Sequence, residues 1–319
     1  MIAHLLAHIL MFGLLTPIFT LASAQDYPLK PVRIVTSAVG GVTDLIARLL
    51  AQGLSVNLGQ QVIVDNRPTG IIPGDLVAKA PADGYTLLFH GSSLWIAPLM
   101  QEVPYDPVRD FAPITWASST PNVIVVHPSL PARSVKDLIA LAKSRPAALD
   151  YASGATGSSS HLAAELFKAM AGVNIVRIPY KGQGPAILAL LGGQVHMSFA
   201  TTGSVTSFIR SGRLRALAIT TAKRSTLAAD LPTVAESGLP GYQSASNAGA
   251  FAPAGTAATL INRLNQEILR VLNTNSMKER LFSEGSEIVG SSPQEFATDL
   301  KAEMTRLGKV IKDAGIRGE

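Results

Sequence analysis

The stretch "YASGATGSSSHLAAELF" runs from Tyr151 to Phe167 of a 319-residue chain. An apolar, β-prone start gives way to two glycines and a run of serines, and these lead into residues spaced as one face of a helix. A strand feeding a helix through a short glycine-rich turn is half of a β–α–β unit. Repeated, that unit implies helices covering mostly parallel sheets. Ligands of such sheets settle beyond the carboxyl ends of the strands, where these glycines and serines fall.

The same rhythm extends in both directions. "PVRIVTS" (31–37) precedes a helical pattern over 43–58, and "QVIVDN" (61–66) leads to a short helix near 76–80 and then to "GYTLLFH" (84–90). "NVIVVHP" (122–128) reads as a strand, followed by a helix that Ser134 caps and that stops before Pro146. "LDYAS", "VNIVRIPY", "QVHMSFA" and "RLRALAITT" alternate with helical patterns over 159–170, 184–191 and 203–211. The last third turns helical. Thr256 is the expected cap of a helix over 257–273, and "SPQE" (292–295) is a capping box with proline at the first helical position. Polar, small-residue stretches meet apolar strands at "SSTPNVIVV" and "YQSASNAGAF", the two expected crossings between domains.

Apolar residues make up 47% of the chain and charged residues 15%, which excludes disorder and allows two domains with separate cores. The net charge of +5 is modest and no basic stripe is interleaved with aromatics, so nucleic acid is not an expected partner. Cysteine is absent, which excludes disulfides, thiol catalysis and thiolate metal sites. Met1 to Ala24 carry no charged side chain, are strongly apolar and end in Ala22-Ser23-Ala24 before Gln25. This reads as a signal peptide over 1–24, with His4 and His8 where lysine or arginine is usual. A membrane anchor is the alternative; Pro17 and the small terminal residues favour cleavage. Export without disulfides suits a bacterial periplasm.

Two constellations suit an anion. In "TSAVGGVTD" (36–44), Gly40 and Gly41 let backbone approach a ligand, and Thr43 or Asp44 opens a helix whose free N–H groups and partial positive charge attract one. Asp44 is equally well read as a first-turn acid favoured by the helix dipole. No G-x-G-x-x-G is present, so this is not a dinucleotide loop. In the opening stretch Gly154 and Gly157 free the turn, while Ser158, Ser159 and Ser160 offer hydroxyls and N–H groups. Neither a Walker loop nor G-x-S-x-G is present. Ser158 and His161 stand three apart and admit a nucleophile–base pair, but a triad also needs an orienting carboxylate and an oxyanion hole, and Glu165, one turn further along, reads as solvent-facing. Tyr180 and Lys181 follow a strand, where Lys181 suits either a carboxylate or solvent. Beyond residue 24 the histidines are His90, His127, His161 and His196, none spaced as a metal pair. No metal or cofactor is expected.

These stretches, in this order, resemble the solute-binding proteins of tripartite tricarboxylate transporters, the Bug family of periplasmic receptors. The resemblance runs from about Tyr27 to the C-terminus through "YPLKPVRIV", "GGVTD", "LGQQVIVDNRP", "VAKAPADGYTLL", "VPYDPVRDFAPIT", "YASGATGSSSHLAAELF", "IPYKG", "LLGGQVHMSF", "SGRLRALAIT", "LPTVAESGLPGY" and "APAGT". It implies an α/β, two-lobed periplasmic-binding (Venus-flytrap, type II-like) fold with a hinge. It also implies a non-enzymatic receptor that holds a small organic acid between its lobes and hands it to membrane transporter subunits. Lobe one would comprise 26–121 with 249–319, and lobe two 122–248. Ser37, Gly40, Gly41, Thr43 and Asp44 would present one seat, and Ser153, Gly157, Ser158 and Ser159 the other, with Thr201 and Thr202 closing the side. The protein is expected to act as a monomer. A Ser158–His161 hydrolase and a sensory receptor on the same fold are the alternatives.

The chain departs from the family pattern at several points. Thr36-Ser37 stand where Pro-Phe is usual, "TGIIPG" (69–74) is shorter than the usual glycine-rich stretch, Ala200, Thr201 and Thr202 replace an Asp or Asn pair, and Asn247 replaces a Trp. Without a carboxylate at 200 the site lacks a partner for an amine, and Ile71, Ile72 and Trp95 would make one side of the cleft apolar. The expected ligand is a carboxylate without an amino group, on an apolar or aromatic body.

Overall fold

A computed structural model describes residues 27–39, 42–67 and 71–317. The expected signal peptide, Gly40 and Gly41 lie outside the described residues. Strand and helix alternate first as β1 (Val32–Thr36), α1 (Val42–Leu58), β2 (Val62–Asn66), α2 (Ile72–Ala78), β3 (Thr86–Gly91) and α3 (Ser93–Ile96). Then come the long β4 (Phe111–Val126), α4 (Val135–Ser144), β5 (Asp150–Ser153), α5 (Ser159–Ala171), β6 (Val176–Pro179), α6 (Gln183–Leu191), β7 (Met197–Thr201), α7 (Thr202–Arg210) and β8 (Arg215–Ile219). The chain closes with β9 (Ala245–Pro253), α8 (Ala258–Leu272), α9 (Asn275–Ser283), the short β10 (Glu287–Ile288) and α10 (Pro293–Asp313).

β2, β1, β3, β9 and β4 lie side by side, and β4, β7, β5 and β6 continue the order; β8 and β10 also pair with β4. The outer strands run parallel, as β–α–β connections require. Every pairing made by β4 or β9 is antiparallel. The decisive feature is a change of partner within β4. Phe111 to Pro121 face β9, whereas Asn122 to Val126 face β7 and β8. Asn122 fixes this junction: its N–H donates to Thr220 Oγ1 (2.9 Å) and its Nδ2 to Phe199 O (2.9 Å).

Each sheet is covered on both faces. α1 and α8 pack Ile46, Leu50, Leu264 and Ile268 onto one side of the first sheet. On its other side α2, α3 and α10 bury Trp95, Phe251 and Phe296. In the second sheet, α4 and α5 cover one face and α6 and α7 the other. α10 belongs to both halves, since Phe296 joins the Trp95 cluster while Val310 joins the α4–α5 core. Among the described residues no helix is long and apolar enough to cross a membrane.

Local signals held where the chemistry is local. Ser134 accepts from Asp137 N at the start of α4, and Ser292 with Glu295 closes the capping box of α10. Thr256 is not the cap of α8: Ala257 occupies that position, and the Thr256 hydroxyl donates to Pro253 O (2.8 Å), tying the helix back to the end of β9. α3, at four residues, is too short to show a period; α9 is as long as α6 and α7 but its sequence, NSMKERLFS, buries only Met277 and Leu281 and so shows little of one.

Gly249 shows how tightly α10 is seated. A β-carbon there would lie 2.4 Å from the Phe296 ring and 3.0 Å from the Thr115 carbonyl. Gly249→Ala is therefore expected to cost about 1–3 kcal/mol through overpacking. Guanidinium melts of the two proteins will measure it.

Candidate ligand-binding site

The first turn follows β1. Ser37 offers its carbonyl to Asn66 Nδ2 (2.8 Å), and the same amide donates to Asp44 Oδ1 (2.8 Å). Arg48 Nε lies 3.1 Å from Asp44 Oδ1 and 3.2 Å from Oδ2, and Arg48 Nη2 donates to Asn66 Oδ1 (2.7 Å). Asp44 is thus buried at 4% exposure inside a network that fastens α1 to the end of β2. It acts on the loop, in keeping with its reading as a first-turn acid. Asn66 and Arg48 were missed by sequence reasoning; "VDNRP" carried Asn66 only as part of a motif, and Arg48 was read only as part of the helical pattern over 43–58. Thr43, in the first turn of α1, faces the end of β3: its Oγ1 and Asn247 O lie 3.5 Å and 3.6 Å from where a Gly91 β-carbon would stand.

The second turn follows β5. Ser153 is fully buried, donates to Gly154 O (3.0 Å) and accepts from Arg177 Nε (2.8 Å). Arg177 also donates to Thr156 Oγ1 (3.1 Å) and Gly154 O (3.1 Å), so one guanidinium braces the turn from β6. Gly157 takes φ +77°, a region L side chains avoid, and its N–H donates to His161 Nδ1 (3.1 Å). Ser158 caps α5 by accepting from His161 N (3.4 Å). Ser160 Oγ accepts from Gly154 N (3.0 Å). The first-turn N–H groups of Ser159 and Ser160 have no carbonyl within the helix to bond, and so face whatever lies before it.

This geometry assigns the histidine. Its Nδ1 accepts from Gly157, which leaves the ring proton on Nε2. Burial, aided by the Arg177 charge, pushes the pKa of His161 down to about 4, so the ring is neutral at physiological pH. Ser158 Oγ meets His161 through the main-chain N–H and also lies 3.1 Å from Ser160 Oγ.

Thr201 and Thr202 part company. Thr201 Oγ1 donates to Ser204 Oγ (3.0 Å) at the start of α7 and stays half-buried. Thr202 is buried, its hydroxyl 2.7 Å from Gly285 O and 3.4 Å from Pro121 O. There the backbones of Gly203 and Gly285 touch, with a Gly203 β-carbon 2.5 Å from Glu284 O. Thr202 thus sits at the junction of the two sheets. Trp95 is not an exposed cleft residue: it is fully buried, with Nε1 donating to Glu303 Oε2 (3.0 Å). Ile72, 44% exposed at the start of α2, remains available as an apolar wall.

The family profile described as "Tripartite tricarboxylate transporter family receptor" matches residues 46–316. The chain belongs to this family. Its receptors are periplasmic solute-binding proteins. BugT of Bordetella pertussis is 39% identical over 301 residues, covering 92% of each chain. A solved R. palustris protein with adipate is 40% identical at TM-score 0.75, covering 92% of this chain and 99% of that one. MatC of Rhodopseudomonas palustris, solved with bound malate, is 27% identical at TM-score 0.72, with 89% and 100% covered. This family receptor therefore has the two-lobed periplasmic-binding fold of its solved relatives, with β4 and β9 crossing between the halves.

Glu303 of α10 joins the wall behind the first turn. Its carboxylate accepts from Trp95 and, at Oε1, from Asn247 Nδ2 (3.1 Å). It also borders a groove of about 700 Å³ with Trp116, Lys223, Gln243, Asp299 and Arg306. Burial raises its pKa to about 7, against the lowering pull of Arg306 and its two hydrogen bonds; Asp299 adds to the rise. A carboxyl whose folded pKa lies above its unfolded value stabilises the fold fully below the unfolded value and loses that contribution as pH rises through about 7. Glu303→Gln lacks this slope. Its melting temperature relative to wild type is expected to rise between pH 5 and pH 8, read by circular dichroism; a flat difference would contradict the assignment.

Proposed function

We propose that this family receptor captures a small organic acid between its lobes and delivers it to tripartite transporter subunits in the membrane. The observation that carries this is the second turn. A guanidinium braces it, a serine caps it, and the free first-turn amides of Ser159 and Ser160 are left for an acceptor. Ser37, Gly40, Gly41 and Thr43 form the opposing seat, with Asp44 holding its loop. Ser153, Gly157, Ser158 and Ser159 form the second, and Thr201 with Thr202 borders the crossing. The solved relatives with adipate and with malate support a carboxylate ligand. The exposed Ile72 favours one with an apolar body; Ala200 is fully buried with Val123, Val125 and Ile187, so that position belongs to the core and carries no argument about an amine.

The lobes comprise 26–121 with 249–319, and 122–248. The partner change between Pro121 and Asn122 supports the first boundary. Ala245 already pairs with Pro121, so the return crossing falls at the start of β9, a few residues before 249. The protein is exported to the periplasm with loss of 1–24 and acts as a monomer. It works without catalysis: His161 Nδ1 is taken by the Gly157 N–H and Nε2 carries the proton, so the ring offers Ser158 no acceptor. Glu165, expected to face solvent, is instead buried and accepts from Tyr151 and Lys168.

Dicarboxylates at a hundred times their dissociation constant should stabilise the protein by about 2.7 kcal/mol in thermal-shift assays. The acid should be recovered unchanged, and ester hydrolysis should stay at background in wild type and Ser158→Ala alike. Ester turnover that Ser158→Ala abolishes would overturn the reading. Arg177→Met, which unties Ser153, Thr156 and Gly154, should weaken binding about tenfold, the equivalent of one net hydrogen bond. Calorimetric titration reads that loss.

A further inference from the structure

One side chain from the first half of the molecule lies directly on the second turn. Met100 follows α3 and a 3-10 turn, Ala97–Leu99, that runs on from the Gly91 end of β3. A β-carbon at Gly157 would stand 2.4 Å from Met100 Cε and 3.0 Å from its Sδ. The backbone demands glycine at 157, and the flexible end of the Met100 thioether is what fills the room above it. Nearby, Leu162 of α5 enters the Trp95 cluster at whose edge Met100 packs. α3 thus begins beside Thr43 and Gly91 and delivers Met100 to Gly157, spanning the distance between the two proposed seats.

The surroundings of Gly157 are polar, with the hydroxyls of Ser153, Thr156 and Ser158 in the same turn. A thioether offers them no useful hydrogen bond. What it supplies is volume on three rotatable bonds, an apolar boundary that can be pushed or withdrawn.

We propose that Met100 is a specificity-determining residue: it bounds the space over turn 154–158 and sets how long a methylene chain between two carboxylates is accepted. The inference rests on the carboxylate reading above. Shortening the side chain should make room for a longer diacid, and enlarging it should remove room.

The test is a calorimetric series of succinate, adipate and suberate on wild type, Met100→Ala and Met100→Phe. One buried methylene is worth about fourfold in affinity, so Met100→Ala should move the suberate-to-succinate affinity ratio up by about tenfold, and Met100→Phe should move it down. The ratio is insensitive to a loss of stability common to all ligands, and either variant alone suffices should the other fail to fold. If wild type binds none of the three acids, the carboxylate reading falls and this inference with it. If wild type binds and both ratios stay at the wild-type value, the inference alone falls. Equal weakening of all three acids by a folded Met100→Ala would likewise overturn it, because Met100 would then be a general contact.

Discussion

Everything in this molecule depends on a strand that serves two sheets. β4 pairs with β9 up to Pro121 and with β7 and β8 from Asn122 onward. Proline donates no backbone hydrogen bond, so the ladder is weakest where the partners change. Asn122 and Thr220 compensate with side-chain bonds across the junction, the Thr220 hydroxyl lying 2.9 Å from Asn122 O and 2.7 Å from Ser244 O. The crossing is thereby narrow but held on both sides, with Asn122 Oδ1 the one polar side-chain atom of this pair left without a partner among the described residues. It sets the two sheets so that the carboxyl ends of β1 and β3 in one, and of β5 in the other, carry the turns that open α1, α3 and α5.

The electrostatics of those turns follow from who holds what. Arg177 at the second loop and Arg48 at the first are both committed to protein acceptors. They order the turns rather than pair with a guest. An anion placed there would meet main-chain N–H groups and hydroxyls, with the guanidinium charge acting from behind. That arrangement suits reversible capture, since a direct buried ion pair would have to be broken on release and leave a charge uncompensated.

Much of this was legible because it is written over short spans. The strand–turn–helix rhythm, the Ser134 cap and the 292–295 capping box each depend on residues close together in the chain. What was not legible depends on distant partners. Asp44 reads as a seat residue or a first-turn acid until Asn66, 22 residues on, donates to it. Trp95 reads as an apolar cleft residue until Glu303, 208 residues on, accepts its indole proton. Thr202 reads as a loop hydroxyl until Gly285 is packed against it. In each case a polar group's partner decided its place, and only the folded chain supplies that partner.

Glu303 and Asn247 illustrate how a departure from the family pattern is absorbed. A buried carboxylate is tolerated only if its oxygens find donors. Trp95 supplies one, and it is already fixed in the aromatic cluster. The tryptophan usual at 247 has a single indole N–H on a large ring, whereas the asparagine found here places an amide donor 3.1 Å from Oε1. Position 247 also contributes the carbonyl nearest Gly91, at the edge of the first turn. The side chain found here thus gives the acid on α10 its second hydrogen bond, on the helix that joins both halves.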